Sequence, residues 1–170
     1  MNIEKPNYKK AEEKAKQVID ENSIIKPPII PSDIANNYGL TLIYADFAKQ
    51  HSDVAGFLDI DKKTIYINNA DAPNRQVFTI AHELGHWLLH KEIIKENPSK
   101  YSVFLRRPLA FKENDFMEKE ANCFAANLLV PKKFLLDYKD IADISTLAQI
   151  FIVSQEVIGF RLKDLQTKSL

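Results

Sequence analysis

The sequence contains a single cysteine, Cys123, and no long run of apolar residues. One cysteine excludes a disulfide framework within the chain, which is typical of proteins from reducing compartments. No segment approaches the roughly 18 consecutive apolar residues that a membrane-spanning helix requires. Residues 1–10 are polar and charged, without the apolar core of a secretory signal. These absences predict a cytoplasmic protein with no membrane partner.

The sequence also lacks an excess of either charge. Lysine and arginine together number 23, as do aspartate and glutamate, so the formal net charge is zero. A neutral protein has no overall field that would concentrate it on nucleic acid. Hydrophobic residues make up 45% of the chain and charged residues 27%, which is ordinary for a globular protein and excludes disorder as its main state.

Apolar periodicity and turn residues divide the chain into predicted elements. Helices are predicted over residues 6–21, 32–39, 73–91, 114–129, 131–138, 145–151 and 154–165, and strands over 40–45, 54–60 and 64–68. Residues 61–63 separate the last two strands and suit a tight hairpin. Strands followed by helices predict an α+β fold, in which a small three-stranded sheet lies beside a helical body.

The strongest motif is His-Glu-Leu-Gly-His at residues 82–86, inside a predicted helix. Positions i and i+4 lie on one helix face, so His82 and His86 can bind one cation. Glu83 lies about 100° further round, nearer to a metal-bound water than to the metal. We predict a zinc ion with a bound water that Glu83 deprotonates as general base. Gly85, which is costly inside a helix, indicates a close backbone approach.

A catalytic zinc ion needs a third protein ligand and an open fourth position. In the second long predicted helix, Glu118 shares one stripe with the small residues Ala121 and Ala125, which would allow close packing against the motif helix. That packing would direct Glu118 to the metal. Asn122, one turn after Glu118, could then hydrogen-bond a ligand. Glu120 is predicted to face away, but it remains the alternative third ligand.

Peptide hydrolysis also needs a group that stabilises the oxyanion. His90, one turn beyond His86, is one candidate catalytic residue, and Tyr66, Tyr101 and Arg106 are others. A histidine at a helix end is more often a packing residue or a support for a metal ligand, so we favour that role for His90 over direct catalysis. The sequence does not separate Tyr66, Tyr101 and Arg106.

The tail over residues 146–165 resembles a helix-turn-helix. A DNA-reading helix carries several basic and amide side chains. The second tail helix offers only Gln155, Arg161 and Lys163, among apolar residues. We therefore interpret the tail as a packing or repressor-docking module, and direct nucleic-acid binding is not expected.

Two segments together resemble the ImmA/IrrE family of metallo-endopeptidases. The first, Phe78 to His90, contains Ala-His-Glu-Leu-Gly-His. The second, Glu118 to Pro131, fits the pattern Glu-x-x-Ala-(Asn/Asp)-x-Phe-Ala-Ala-x-Leu-Leu-x-Pro, with Val130 where many relatives have Met. The similarity extends to the preceding hairpin and to residues 147–162, so it covers most of the chain.

The resemblance implies a zincin-like core of the gluzincin type over residues 1–130, with a C-terminal helical, HTH-like module over 131–170 packed on it. In a gluzincin the third ligand is the glutamate three residues before Ala121, which is Glu118. The implied activity is cleavage of a partner helix-turn-helix repressor of the Xre type, which derepresses mobile-element, phage or stress-response genes. The alternative is a metal-binding regulator or toxin–antitoxin component that binds its partner without cleaving it.

Overall fold

The structure is a computed structural model that describes residues 5–47, 53–96 and 116–167. Seven helices and one three-stranded sheet lie within these ranges, which confirms the predicted α+β class. Their bounds are α1 (Tyr8–Glu21), α2 (Pro31–Asn37), β1 (Thr41–Ala45), β2 (Gly56–Asp59), β3 (Thr64–Asn68), α3 (Pro73–Glu96), α4 (Phe116–Leu129), α5 (Lys132–Tyr138), α6 (Ile144–Phe151) and α7 (Gln155–Thr167).

The sheet has the strand order β1-β3-β2, with β1 parallel and β2 antiparallel to the central β3. The predicted hairpin joins β2 to β3. Its turn is closed by Asp59, whose Oδ1 accepts the Lys62 amide at 3.0 Å, and by Lys63, which has a positive φ of 50°. Ile65 and Ile67 of β3 are fully buried, so the central strand supports the helical layer.

Helices α3 and α4 pack at very short range, and this contact decides where the candidate ligands lie. A Cβ placed on Gly85 would stand 3.3 Å from the Ala121 Cα and 3.0 Å from the Phe124 ring. Any side chain at position 85 would therefore push the two helices apart. The close backbone approach predicted at Gly85 is observed.

The longest helix, α3, has 24 residues and runs to Glu96, five residues beyond the predicted end. Across the ranges that the structure describes, no helix combines the length and apolar character of a membrane span.

Two helices, α2 and α6, begin one residue before the predicted start. Pro31, rather than Ser32, begins α2, because the fixed φ of proline suits a first helical position. Helix α6 begins at Ile144 because Asp143 caps it, accepting the Thr146 amide at 2.7 Å.

The tail helices pack on the end of α4 through a buried arginine. Arg161 of α7 is only 2% exposed. Its Nε donates to the Val130 carbonyl at 3.0 Å, and its guanidinium contacts Asp164 at 2.6 Å. The division into units 1–130 and 131–170 stays a prediction. The same burial makes Arg161 unavailable as a DNA-contacting side chain.

Candidate metal centre

Three histidines line one face of α3, since residues four apart on a helix lie above one another. The Nε2 atoms of His82 and His86 converge to 3.0 Å. His90 follows one turn later, and its ring lies 5.2 Å from the His86 ring between centroids. The helical period alone produces this row. The groups that these three rings contact depend on α4, the helix packed against α3.

Helix α4 brings the carboxylate of Glu118 to the two converging nitrogens. Its Oε2 lies 3.2 Å from His82 Nε2, and its Oε1 lies 2.7 Å from His86 Nε2. One donor atom from each of the three side chains falls within 4.8 Å of the others. The structure therefore brings the three predicted ligand residues together from two helices, although Glu118 lies more than thirty residues after His86 in the sequence.

The donor set fits a divalent metal ion. Two imidazoles and a carboxylate are ligands that zinc accepts, and neighbouring ligand atoms of a tetrahedral zinc site stand roughly 3.3 Å apart. The separations of 2.7–3.2 Å need to open by only a few tenths of an ångström. Glu118 Oε1 is buried and, among the described residues, has no donor aligned for a hydrogen bond, although His86 Nε2 is close. A cation would satisfy that oxygen.

In the metal-free site, the close approach of these ionisable side chains shifts their pKa values. Burial would lower the pKa of His82, but Glu118, Glu83 and Asn122 outweigh it and raise that pKa to about 9. Burial would raise the pKa of Glu118, but the two imidazoles hold it well below its usual value. The site therefore holds a proton on His82 and a negative charge on Glu118 where a cation would bind both.

Asn122 orients the ring of His82. Its Oδ1 lies 2.9 Å from His82 Nδ1, and an amide oxygen can only accept, so the ring proton sits on Nδ1. When the His82 ring is neutral, its Nε2 therefore carries a lone pair, and this lone pair faces Glu118 and His86. The structure thus brings Asn122 to the ligand-supporting position predicted for it.

Glu83 lies on the sheet side of α3, half-buried, with a backbone hydrogen bond from Leu58 of β2. Burial raises the pKa of its carboxyl, although His82 and His86 act in the opposite direction. It is not part of the three-residue donor group. This placement suits a base beside the site rather than a ligand.

His90 is completely buried and lies behind His86. Its Nδ1 faces His86 Nδ1 at 3.1 Å, and its Nε2 lies 2.9 Å from Glu120 Oε2. With both nitrogens engaged, it cannot also reach a substrate. The placement favours the supporting role over the direct catalytic role considered for it from the sequence. Burial, together with the neighbouring His86, lowers the pKa of His90 to about 3.

Glu120 points away from the ligand group, as its helical position predicted, but it is buried rather than solvated. Besides His90, it accepts the backbone amide of Asn7 at 2.7 Å. Sequence reasoning missed this partner, which lies 113 residues away. In the sequence near these residues, only the i+4 spacing of His90 from His86 indicates that a further hydrogen-bond acceptor is required beside the row of histidines.

The remaining candidates make other contacts or lie outside the described residues. The Tyr66 ring stacks on Phe57 with centroids 4.7 Å apart. Tyr101 and Arg106 lie outside the described residues. Cys123 is half-buried, with its Sγ 3.7 Å from the Tyr8 carbonyl, and is not in the donor group.

The sequence matches a family model described as IrrE N-terminal-like domain, peptidase M78, over residues 35–163. That span is most of the chain and includes both motif helices. The chain belongs to this ImmA/IrrE family. The candidate metal ligands His82, His86 and Glu118 all lie inside the matched region.

Curated relatives agree with the assignment. The chain is 32% identical over 117 residues to Metallopeptidase ImmA of Bacillus subtilis strain 168, covering 65% of this chain and 63% of that protein. It is 33% identical over 93 residues to an uncharacterized immunity region protein 2 of Bacillus phage phi105, covering 53% of each. The chain thus spans between half and two thirds of the length of these relatives.

A solved structure of a Mycobacterium tuberculosis transcriptional regulator shares the fold of this family member. The TM-score is 0.65, and the match covers 90% of this chain but 46% of that one. At 18% identity the likeness concerns the fold alone.

Proposed function

We propose that the chain is a zinc-dependent metallo-endopeptidase of the gluzincin type. One observation carries the proposal: a carboxylate from α4 meets two imidazoles from α3, with three donor atoms within 4.8 Å of one another. His82, His86 and Glu118 would hold one zinc ion and leave a fourth position open. Glu83, close by but outside the ligand group, is the general base.

The site residues have distinct roles in peptide hydrolysis. When bound, zinc would lower the pKa of a water molecule toward about 7 and polarise the carbonyl of the substrate. Glu83 takes the proton of the attacking water and passes it to the leaving amine. Burial raises the pKa of the Glu83 carboxyl, which favours its uptake of a proton from water. Asn122 keeps the His82 ring in the orientation that its Nδ1 contact fixes.

A groove beside the metal centre supports a polypeptide substrate. It has a volume of about 980 Å³ and begins at Asn122, the residue that bonds His82. Its walls are largely apolar and include Phe78 of α3, Ala126 of α4, and Val157 and Phe160 of α7. Phe78 lies one helical turn before His82, so the groove and the ligands share the same helices. A protein segment that lies in the groove would pass Asn122, the residue that contacts His82.

We infer that the substrate is a helix-turn-helix repressor of the Xre type, and that its cleavage derepresses mobile-element, phage or stress-response genes. Two supports are the family assignment and the similarity to an immunity region protein of a phage. A protein acting on a repressor would work in the cytoplasm, which suits a chain with one cysteine.

The decisive experiment combines the zinc-loaded protein with helix-turn-helix repressors of the Xre type from the same genome, and detects cleavage by intact-mass spectrometry. We expect two fragments from one site, and no fragments after chelation. Glu83→Gln should keep its zinc and slow cleavage by roughly 10²–10⁴-fold, the usual contribution of a general base. Lys95→Gln, at an exposed site near the end of α3, is the control.

The same experiment tests the alternatives. If the repressor is inactivated without being cut, the protein is a non-catalytic metal-binding regulator and not an enzyme. Salt-dependent binding to operator DNA would favour a DNA reader, but the burial of Arg161 already counts against it. Cleavage by Glu83→Gln at the wild-type rate would contradict the assigned base.

A further inference from the structure

The proposed ligand His86 is the first member of a buried chain of polar contacts that leaves the metal centre on the side away from Glu118. His86 Nδ1 faces His90 Nδ1 at 3.1 Å. His90 Nε2 faces Glu120 Oε2 at 2.9 Å, and Glu120 Oε1 accepts the Asn7 amide at 2.7 Å. His86, His90 and Glu120 are 6%, 0% and 5% exposed, so water cannot replace these partners freely.

The chain of contacts permits one arrangement of protons when His86 uses Nε2 as a ligand. A neutral ring that binds through Nε2 carries its proton on Nδ1, which must donate to His90. His90 Nδ1 therefore accepts, and the proton of His90 sits on Nε2 and is donated to Glu120. The carboxylate accepts there and also from Asn7. Every buried donor then has an acceptor.

The reverse arrangement would disable the ligand. If the acceptor at position 120 became a donor, His90 would have to accept on Nε2 and carry its proton on Nδ1. His86 Nδ1 would then have to accept, which moves the His86 proton to Nε2, the atom that faces Glu118. A proton on that atom excludes a metal ion.

We propose that Glu120 is a positioning residue that sets the tautomer of the zinc ligand His86 through His90. The inference rests on the proposed function, because it takes His86 as a ligand. It gives the two histidine ligands different supports. His82 is oriented by the amide oxygen of the exposed Asn122, and His86 by a buried carboxylate acting through a second imidazole.

Glu120→Gln is the informative variant. The new side chain keeps the size of the old one, and its amide oxygen can still accept from Asn7, so its NH₂ group faces His90 Nε2 as a donor. We expect zinc affinity, measured by competition with a chromophoric chelator, to fall by roughly 10–100-fold. Glu92→Gln removes the same charge at an exposed site on α3 and should leave the affinity unchanged.

Histidine tautomers supply a readout that a merely structural role would not move. In ¹⁵N-labelled wild-type protein, two-bond ¹⁵N–¹H spectra should show His90 protonated on Nε2 and His86 on Nδ1, with and without zinc. Glu120→Gln should move the His90 proton to Nδ1. Circular dichroism would report whether the variant keeps its helices.

Several results would overturn the inference. Zinc affinity of Glu120→Gln within about twofold of wild type would do so. So would wild-type His90 protonated on Nδ1 in the zinc-loaded protein, a measurement that needs no variant. A wild type that binds zinc but cleaves nothing would remove the endopeptidase proposal and leave the tautomer result standing. A wild type without zinc affinity would remove both.

Discussion

Gly85 of α3 lies directly against Ala121 of α4, so close that a Cβ on the glycine would stand 3.3 Å from the Ala121 Cα. The contact is to backbone, which cannot yield as a flexible side chain would. It holds the two helices at the separation that brings Glu118 to His82 and His86. The first prediction concerns this spacing.

Gly85→Ala should lower zinc affinity severalfold while changing the overall stability little. The added methyl group gains roughly 1 kcal/mol of helix propensity, which offsets much of the cost of moving α4. The displacement itself widens the ligand group. Zinc titration and thermal unfolding of the metal-free protein would measure the two effects separately.

The matched control is Gly159→Ala on α7, where a new Cβ would meet nothing within 4 Å. It should raise the free energy of unfolding by up to about 1 kcal/mol and leave zinc affinity unchanged. Unaltered zinc affinity in Gly85→Ala would show that the α3–α4 contact does not set the ligand geometry.

Glu118→Ala should lose zinc far more completely than Glu120→Ala. The first removes a proposed ligand, whereas the second removes a group that contacts the site through His90. Elemental analysis of both purified proteins after dialysis would rank them. The opposite ranking would transfer the ligand role to Glu120, the alternative considered from the sequence.

Zinc affinity should rise with pH between about 7 and 9. The pKa of His82 is raised to about 9 in the metal-free protein, so at pH 7 the incoming ion must displace a proton. One displaced proton gives about a tenfold gain per pH unit, and the gain ends above pH 9. Calorimetric titration in buffers of different ionisation enthalpy would count the released proton, and a flat profile would contradict the prediction.

The stability of the metal-free protein should change in the opposite direction. A raised folded-state pKa stabilises the fold fully below the ordinary histidine pKa of 6.5, and this stabilisation disappears as the pH rises through about 9. Urea unfolding of the metal-free protein from pH 6.5 to 9 should therefore show a falling contribution from His82. His82→Asn, which cannot hold the proton, is the comparison and should lack that component.

Phe160→Asp should weaken substrate binding without affecting zinc. Phe160 is 62% exposed and lines the groove beside the metal centre. Burial of such a side chain by substrate is worth on the order of 1–2 kcal/mol, so KM should rise roughly 5–30-fold with kcat nearly unchanged. Ile141→Asp changes a residue that is 79% exposed outside the groove and serves as the control. Equal effects of the two changes would argue against the groove.

The sequence predicted well the features that depend on local spacing. His82 and His86 share a face because they are four residues apart, and Gly85 indicated the close helix contact that the structure contains. Small residues on the same stripe of α4 indicated which face would pack, and on that face the structure brings Glu118 and Asn122 to the histidines. The period of a helix carries this information without reference to the rest of the fold.

Partners that are distant in sequence could not be predicted in the same way. Nothing near Glu120 indicates that its acceptor oxygen meets the amide of Asn7. The burial of Arg161 follows from where the end of α4 places the Val130 carbonyl. Likewise, nothing in the spacing of the strands along the sequence indicates that β1 pairs with β3 rather than with β2. Each contact is a product of tertiary packing.

The amide of Asn7, the N-cap residue of α1, connects this helix to the candidate metal centre. Loss of this single N–H would leave the Glu120 carboxylate held by His90 alone, and the disturbance would pass through His90 to His86. The rate at which zinc dissociates should therefore report whether α1 is docked on α4. A chelator-chase assay could then detect any ligand or partner that detaches the first helix, with no need for a label on the protein.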